Sequence, residues 1–277
     1  MSKGRIALTL GVIGIIISGL LLAGGCTGIS GGPAGNFKDL TSLAKMAPAE
    51  ATMMVYADMK TLMEDTDLDE MYQDMEDELS DAGELGIEPG SVKHFGIIMI
   101  DYEEVTAIGA DLDLDLIYTK LAEEDSERAD YLDMEVWLDG YDQAMAILGD
   151  TLLMGSESNV KACLSAIDSG ETAYESNQDM RDVLGRMSDG IMTMVMPGDQ
   201  FYPGSLYAGI TVEKISTDNM KMRGLMKFAD EEDAADVEEE INAGMDDADM
   251  FNMSVSRSGV FVEFSADIDI DEGFFPW

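Results

Sequence analysis

The chain has 277 residues, with 57 Asp and Glu against 16 Lys and Arg, for a formal net charge of −41. Such a surface repels nucleic-acid phosphates and anionic lipid headgroups, and a single histidine cannot build a multi-histidine zinc site. The 46% of hydrophobic residues still suffices for a core, so the charge does not imply disorder.

The first element is an apolar run from Ile6 to Ala23, preceded by Lys3 and Arg5. A positive start, an apolar middle and the small residues Ala23-Gly24-Gly25 before Cys26 describe a secretory signal. The run also reaches the lower length limit of a membrane-spanning helix, so an uncleaved signal anchor is the alternative. In either case Lys3 and Arg5 hold the N-terminus inside and the body faces outward. "TGISGGPAGN" follows as a flexible tether.

Residues 1–26 resemble the lipobox of prokaryotic lipoproteins, in which a cysteine after small residues carries diacylglycerol and becomes the mature N-terminus. Leucine usually stands three residues before that cysteine; here Ala23 does, with Leu22 one step further out. The resemblance implies lipidation of Cys26, a signal peptide over 1–25 and an anchor cysteine with tether over 26–36. Losing Lys3 and Arg5 would take the net charge from −41 to −43. Cys163 is then the second and last cysteine, with no intrachain disulfide partner, and its apolar neighbours mark it as a core residue.

The body reads as two similar α+β halves, 37–170 and 171–277, built of mostly antiparallel sheets with helices on one face. In the first half a short helix and a Pro turn lead to a strand near 52–57, and Asp58 caps the next helix. Asp67 and Glu70 have capping-box spacing, and Met71, Tyr72, Met75 and Leu79 form one apolar stripe. Strands follow at 94–100 and 104–112, then a helix from Leu114 capped by Asp113. "YLDMEVWLD" alternates Leu132, Met134, Val136 and Leu138 on one strand face, and Gly149-Asp150 turns a tight hairpin into a helix over 156–167.

The second half repeats this grammar at an offset of about 108 residues. A helix near 178–187 leads to strands at 190–196, 205–214 and 219–228, an acidic helix at 230–242, and a hairpin at 249–256 and 259–268. The 23 methionines recur at strand core positions, which favours core filling over copper binding. "MAPAEATMMVYADM" and "AILGDTLLMGSESNVKACLSAIDSGETAYESNQDM" resemble segments of an uncharacterised family of exported prokaryotic envelope proteins. That resemblance implies export and no particular activity.

Among chemical motifs, Asp267, Asp269 and Asp271 are the best-placed candidate ligands for calcium or magnesium. Alternate carboxylates of a straight strand lie about 6.6–7 Å apart, however, and the solvated face of a last strand is the simpler reading. "DLDLDL" at 111–116 carries the same pattern, with Asp113 better explained as a cap. Ser158-x-x-Lys161 has the spacing of serine–lysine hydrolases without their partner motifs, and His94 lacks a nucleophile motif. The acidic helix at 230–242 is a solvated face held by Ala234, Val237 and Ile241. The tail residues Phe274, Phe275 and Trp277 form an interface if exposed and close the core if packed back on the sheet.

The resulting expectation is a non-enzymatic binding or structural module without a cofactor. It would be anchored by lipid or an N-terminal helix to a cell membrane, facing the extracellular or periplasmic side, with a protein partner. The alternative is a surface protein that responds to calcium or magnesium. The excess of Asp over Glu and the scarcity of Lys resemble proteins of salt-loving organisms.

Overall fold

The computed structural model describes residues 37–269, apart from 80–81, 84, 124–125, 218 and 245–250. The signal segment with Cys26, and the tail residues Asp271, Phe274, Phe275 and Trp277, lie outside the described residues. Among the described residues no helix is long and apolar enough to cross a membrane.

The chain is α+β, with nine helices and a twelve-stranded sheet among the described residues. Among the described residues, one compact unit holds those up to Arg181 together with Ile191–Met194; the other holds Asp182–Gly190 and those from Val195 onward. In the first unit, α1 (Leu40–Ala44), β1 (Met53–Ala57), α2 (Met59–Glu64) and α3 (Asp69–Glu78) precede the hairpin β2 (Val92–Ile100) and β3 (Glu103–Ala110). Helix α4 (Leu114–Glu123) then leads to a four-strand meander, β4 (Glu127–Tyr131), β5 (Met134–Leu138), β6 (Gln143–Leu148) and β7 (Thr151–Ser156). Helices α5 (Glu157–Ser169) and α6 (Ala173–Ser176) follow. The strand order is β1-β2-β3-β7-β6-β5-β4, with every pair antiparallel.

Helix α7 (Gln178–Leu184) and strand β8 (Met192–Pro197) are each divided between the two units. The second unit continues with α8 (Gly198–Phe201), the hairpin β9 (Tyr207–Lys214) and β10 (Asn219–Lys227), α9 (Glu231–Gly244), and the hairpin β11 (Phe251–Ser258) and β12 (Phe261–Asp269). Its order β8-β9-β10-β12-β11 matches β1-β2-β3-β7-β6: in each case the last strand of the chain segment adds beside the third. The offset is 116 residues from Glu103 to Asn219 and 110 from Thr151 to Phe261, so it is not constant. The first unit carries one hairpin more, β4–β5, at its outer margin.

Local chemistry sets the boundaries. Asp39 and Ser42 form a reciprocal capping box on α1. The Asp58 carboxylate accepts from Thr61 N at 3.0 Å at the start of α2, and Asp113 accepts from Leu116 N at 3.1 Å at the start of α4. Gly170 ends α5 at φ 74°, the left-handed position that favours glycine. On the α3 stripe Met71 and Leu79 are buried and Tyr72 and Met75 half-buried. Strand β3 is buried at six successive positions, Val105–Ala110, so both of its faces are covered.

The expected strand across Leu132 is corrected by a turn. Leu132 and Asp133 take φ 52° and 60°, forming a two-residue hairpin loop between β4 and β5, and Leu132 is exposed. Without glycine at either position, the turn leaves the apolar alternation unbroken in sequence. Thirteen methionines, Met54 and Met220 among them, are buried, as expected of core filler.

Candidate interaction surface

The first unit gathers three chain reversals at one end of its sheet. Strand β3 pairs Val105 with Gly155 of β7, and β7 pairs Ser156 with Gln143 of β6. The β2–β3 turn, the β5–β6 loop and the start of α5 therefore share that end.

The β2–β3 turn consists of Asp101 and Tyr102, both left-handed at φ 49° and 67°. Two positive φ values suit a two-residue hairpin with Asp first and Gly second. Here the second position is tyrosine, a residue for which left-handed backbone costs about 1–2 kcal/mol. Packing does not offset that cost, because Tyr102 is 97% exposed. Tyr141 in the β5–β6 loop is 87% exposed. Its loop is held rigidly: Asp139 Oδ1 accepts from Tyr141 N at 2.7 Å and from Gln143 N at 3.1 Å.

The first turn of α5 ties both loops down. Glu157 N donates to Asp142 O at 2.9 Å, which fixes the β5–β6 loop. Ser156 Oγ and Asn159 Nδ2 both donate to Glu103 Oε2, at 2.9 and 3.1 Å, next to the β2–β3 turn. Asn159 is buried, so its amide is a structural clamp. The Ser158-x-x-Lys161 motif lies here as well. Ser158 Oγ sits 3.3 Å from Ser156 Oγ, while the Lys161 ammonium meets Glu157 and lies 5.4 Å from the centre of the Tyr131 ring. The motif residues thus belong to the framework of the two loops. Asp101, Glu103 and Asp142 add exposed carboxylates next to the tyrosines in the chain.

The remaining sequence candidates lie elsewhere. Asp267 on β12 faces Lys221 of β10 in register, with Lys221 Nζ 3.4 Å from Oδ1 and Asn252 Nδ2 donating to Oδ2 at 2.8 Å. The Asn252 bond, with Lys221 beside it, holds this carboxyl below the usual range, while buried Oδ1 has the Lys221 ion pair and no hydrogen bond. Asp269 stands opposite Asn219 at the end of the β10–β12 ladder. Among the described residues no three His, Cys, Asp or Glu side chains gather as a metal site. His94 Nδ1 lies 3.0 Å from Tyr56 Oη, and burial lowers its pKa against the opposing effect of Asp58. Cys163 is fully buried and burial pushes its thiol up to about 12, as suits a core residue. Helix α9 is held by buried Ala234 and Val237, by Glu238 to Arg257 at 3.1 Å, and by Glu240 accepting from Tyr202 Oη at 2.6 Å.

One ionisable group not anticipated from sequence is Glu135 on β5, whose side chain is 3% exposed. Its Oε1 accepts from Arg128 Nε at 2.6 Å and from Trp137 Nε1 at 2.9 Å, while Oε2 is enclosed without a hydrogen-bond donor. Burial outweighs Arg128 and raises the carboxyl to about 7, with Asp130 adding to the rise. Tyr102 and Tyr141 were also missed. For Tyr102 the signal is chemical, an aromatic ring at a left-handed turn position where glycine or asparagine belongs, whereas in the Tyr141 loop the left-handed positions fall to Gly140 and Asp142.

No family model matches the chain, and no curated protein sequence matches it. A solved structure described as crystal form III of TP0453 is similar, with a TM-score of 0.52, covering 82% of this chain and 93% of that one. At 8% sequence identity the likeness shows the fold alone.

Proposed function

We propose that the protein is an exported, lipid-anchored envelope protein, facing the extracellular or periplasmic side, and that it acts as a non-enzymatic binding module through the loop end bearing Tyr102 and Tyr141. The carrying observation is the exposure of both rings, 97% and 87%, on loops that α5 holds in place. Buried side chains account for folding; two rigidly presented tyrosines do not, and tyrosine is among the residues most enriched at binding hot spots. Support for the anchor is the charge, apolar and small-residue pattern of residues 1–26.

The test has two arms in the native cell. Metabolic labelling with a fatty acid is expected to mark the wild type and to miss Cys26→Ser. A photo-reactive phenylalanine analogue placed at Tyr102 or Tyr141 is expected to give crosslinked adducts that the same analogue at exposed Glu232 does not. Equal adducts at all three positions would remove the interface, and equal labelling of Cys26→Ser would remove the lipid anchor.

A further inference from the structure

We infer that the tyrosine end docks a basic protein segment in extended conformation, with arginines four residues apart reaching the two rings. This rests on the binding-module reading above. Three features of the first unit carry it. The tyrosines are the two most exposed large hydrophobic side chains described. Both have exposed carboxylates next to them in the chain: Asp101 and Glu103 beside Tyr102, with Glu103 Oε2 already held by Ser156 and Asn159, and Asp142 beside Tyr141. Lys161, the cation at the start of α5, is already engaged by Glu157 and Tyr131.

An aromatic face bordered by carboxylates favours a planar cation. The guanidinium of arginine stacks on the ring while its edge donates to the carboxylates, which a strongly hydrated ammonium does less well. The same carboxylates disfavour other occupants. A second copy would bring its own charge of −41, and anionic headgroups or nucleic-acid phosphates meet the same repulsion.

The spacing follows from the sheet. The β2–β3 turn and the β5–β6 loop are separated by three strand intervals in the order β2-β3-β7-β6-β5. At about 4.8 Å per interval the two reversals stand about 14 Å apart. In an extended segment, residues i and i+4 project from one face and lie about 13 Å apart. The strain at Tyr102 fits a ring kept for contact rather than for folding.

The experiment uses the full chain reconstituted in zwitterionic phosphatidylcholine vesicles at physiological salt. The probes are two fluorescent thirteen-residue peptides of one composition, with four arginines either at every fourth position or consecutive. The spaced peptide is expected to bind the wild type more tightly than the clustered one. Combining Tyr102→Gly with Tyr141→Ser, which leaves net charge unchanged, is expected to weaken it about five- to thirtyfold. Combining Tyr102→Phe with Tyr141→Phe keeps the rings and is expected to stay within about twofold. Removing carboxylates from α9 with Glu231→Gln and Glu232→Gln is expected to leave the difference between the peptides intact. Equal loss of both peptides, or none, overturns the inference in favour of bulk charge attraction. Tyrosine-dependent adhesion to the vesicles themselves, or tyrosine-dependent self-association, also overturns it. If crosslinks in the cell depend on the tyrosines while the spaced peptide shows no preference, the binding module stands and the arginine partner falls.

Discussion

Replacing Glu135 with glutamine should change how stability depends on pH, by an amount that follows from its surroundings. Its carboxyl rises from an ordinary 4.5 to about 7 because burial outweighs Arg128. A group whose pKa is raised on folding favours the native state at low pH. That contribution is complete below the unfolded value and is lost as pH rises through the folded one. At about 1.4 kcal/mol per pH unit the full swing is about 3 kcal/mol. Arg128 is 56% exposed, so water reaches the pair and reduces the expected swing to about 1–3 kcal/mol. Glutamine can still accept from Trp137 and Arg128 and never ionises. The variant should therefore match the wild type near pH 4.5 and become progressively more stable than it toward pH 8. Urea unfolding of both proteins at half-unit pH steps reads this directly. The difference between them cancels the repulsion shared by the other carboxylates. A difference that stays flat from pH 4.5 to pH 8, or one that runs in the wild type's favour, would refute the assignment of a buried, proton-holding carboxyl.

Three further outcomes are expected. Tyr102→Gly relieves left-handed tyrosine backbone and should stabilise the fold by about 0.5–1 kcal/mol in urea unfolding even as it weakens binding; loss of stability would show that the ring packs. Gly224→Ala places a Cβ 2.0 Å from Phe264, whose ring stacks on Phe201 at 5.9 Å, and should cost about 1–3 kcal/mol by the same measurement. Raising monovalent salt from 0.05 to about 1 M should lift the thermal midpoint by screening the charge of −41, whereas micromolar calcium at fixed low salt should not; a sharp calcium response would revive an ion site at the acidic strand end.

What the sequence made legible was local. Asp58 and Asp113 meet backbone donors within a few residues, so those helix starts could be read before any tertiary contact was known. Strand β10 likewise stands out by alternation, with Met220, Met222 and Gly224 buried between half-buried Lys221 and Arg223. The misreadings share one cause: a side chain whose role is set by a distant neighbour or by backbone sign. Asp267 reads as a solvated carboxylate until β12 is placed beside β10 rather than only beside β11, which brings Lys221 opposite it. Glu135 reads as the outward side of an alternating strand, yet Arg128 across the β4–β5 pair and Trp137 two residues on enclose it. Leu132 and Tyr102 occupy left-handed positions that composition assigns to other residues, so neither turn announces itself. The tyrosine surface was hidden for the same reason, since it depends on a pairing of β3, β7 and β6 out of sequence order.

The additional β4–β5 hairpin bears on how the first unit assembles. Bringing β7 back to β3 closes the segment 111–150, which is 40 residues, while bringing β12 back to β10 closes the segment 228–260, which is 33. Loop-closure entropy grows only with the logarithm of length, so the longer excursion costs about 0.2 kcal/mol more. The extra strands also pair only with strands next to them in sequence, and such pairings develop quickly. A strand pair added at the sheet margin is thus nearly free in loop-closure entropy. The first unit can carry the loop that presents Tyr141 without slowing the closure of its own sheet.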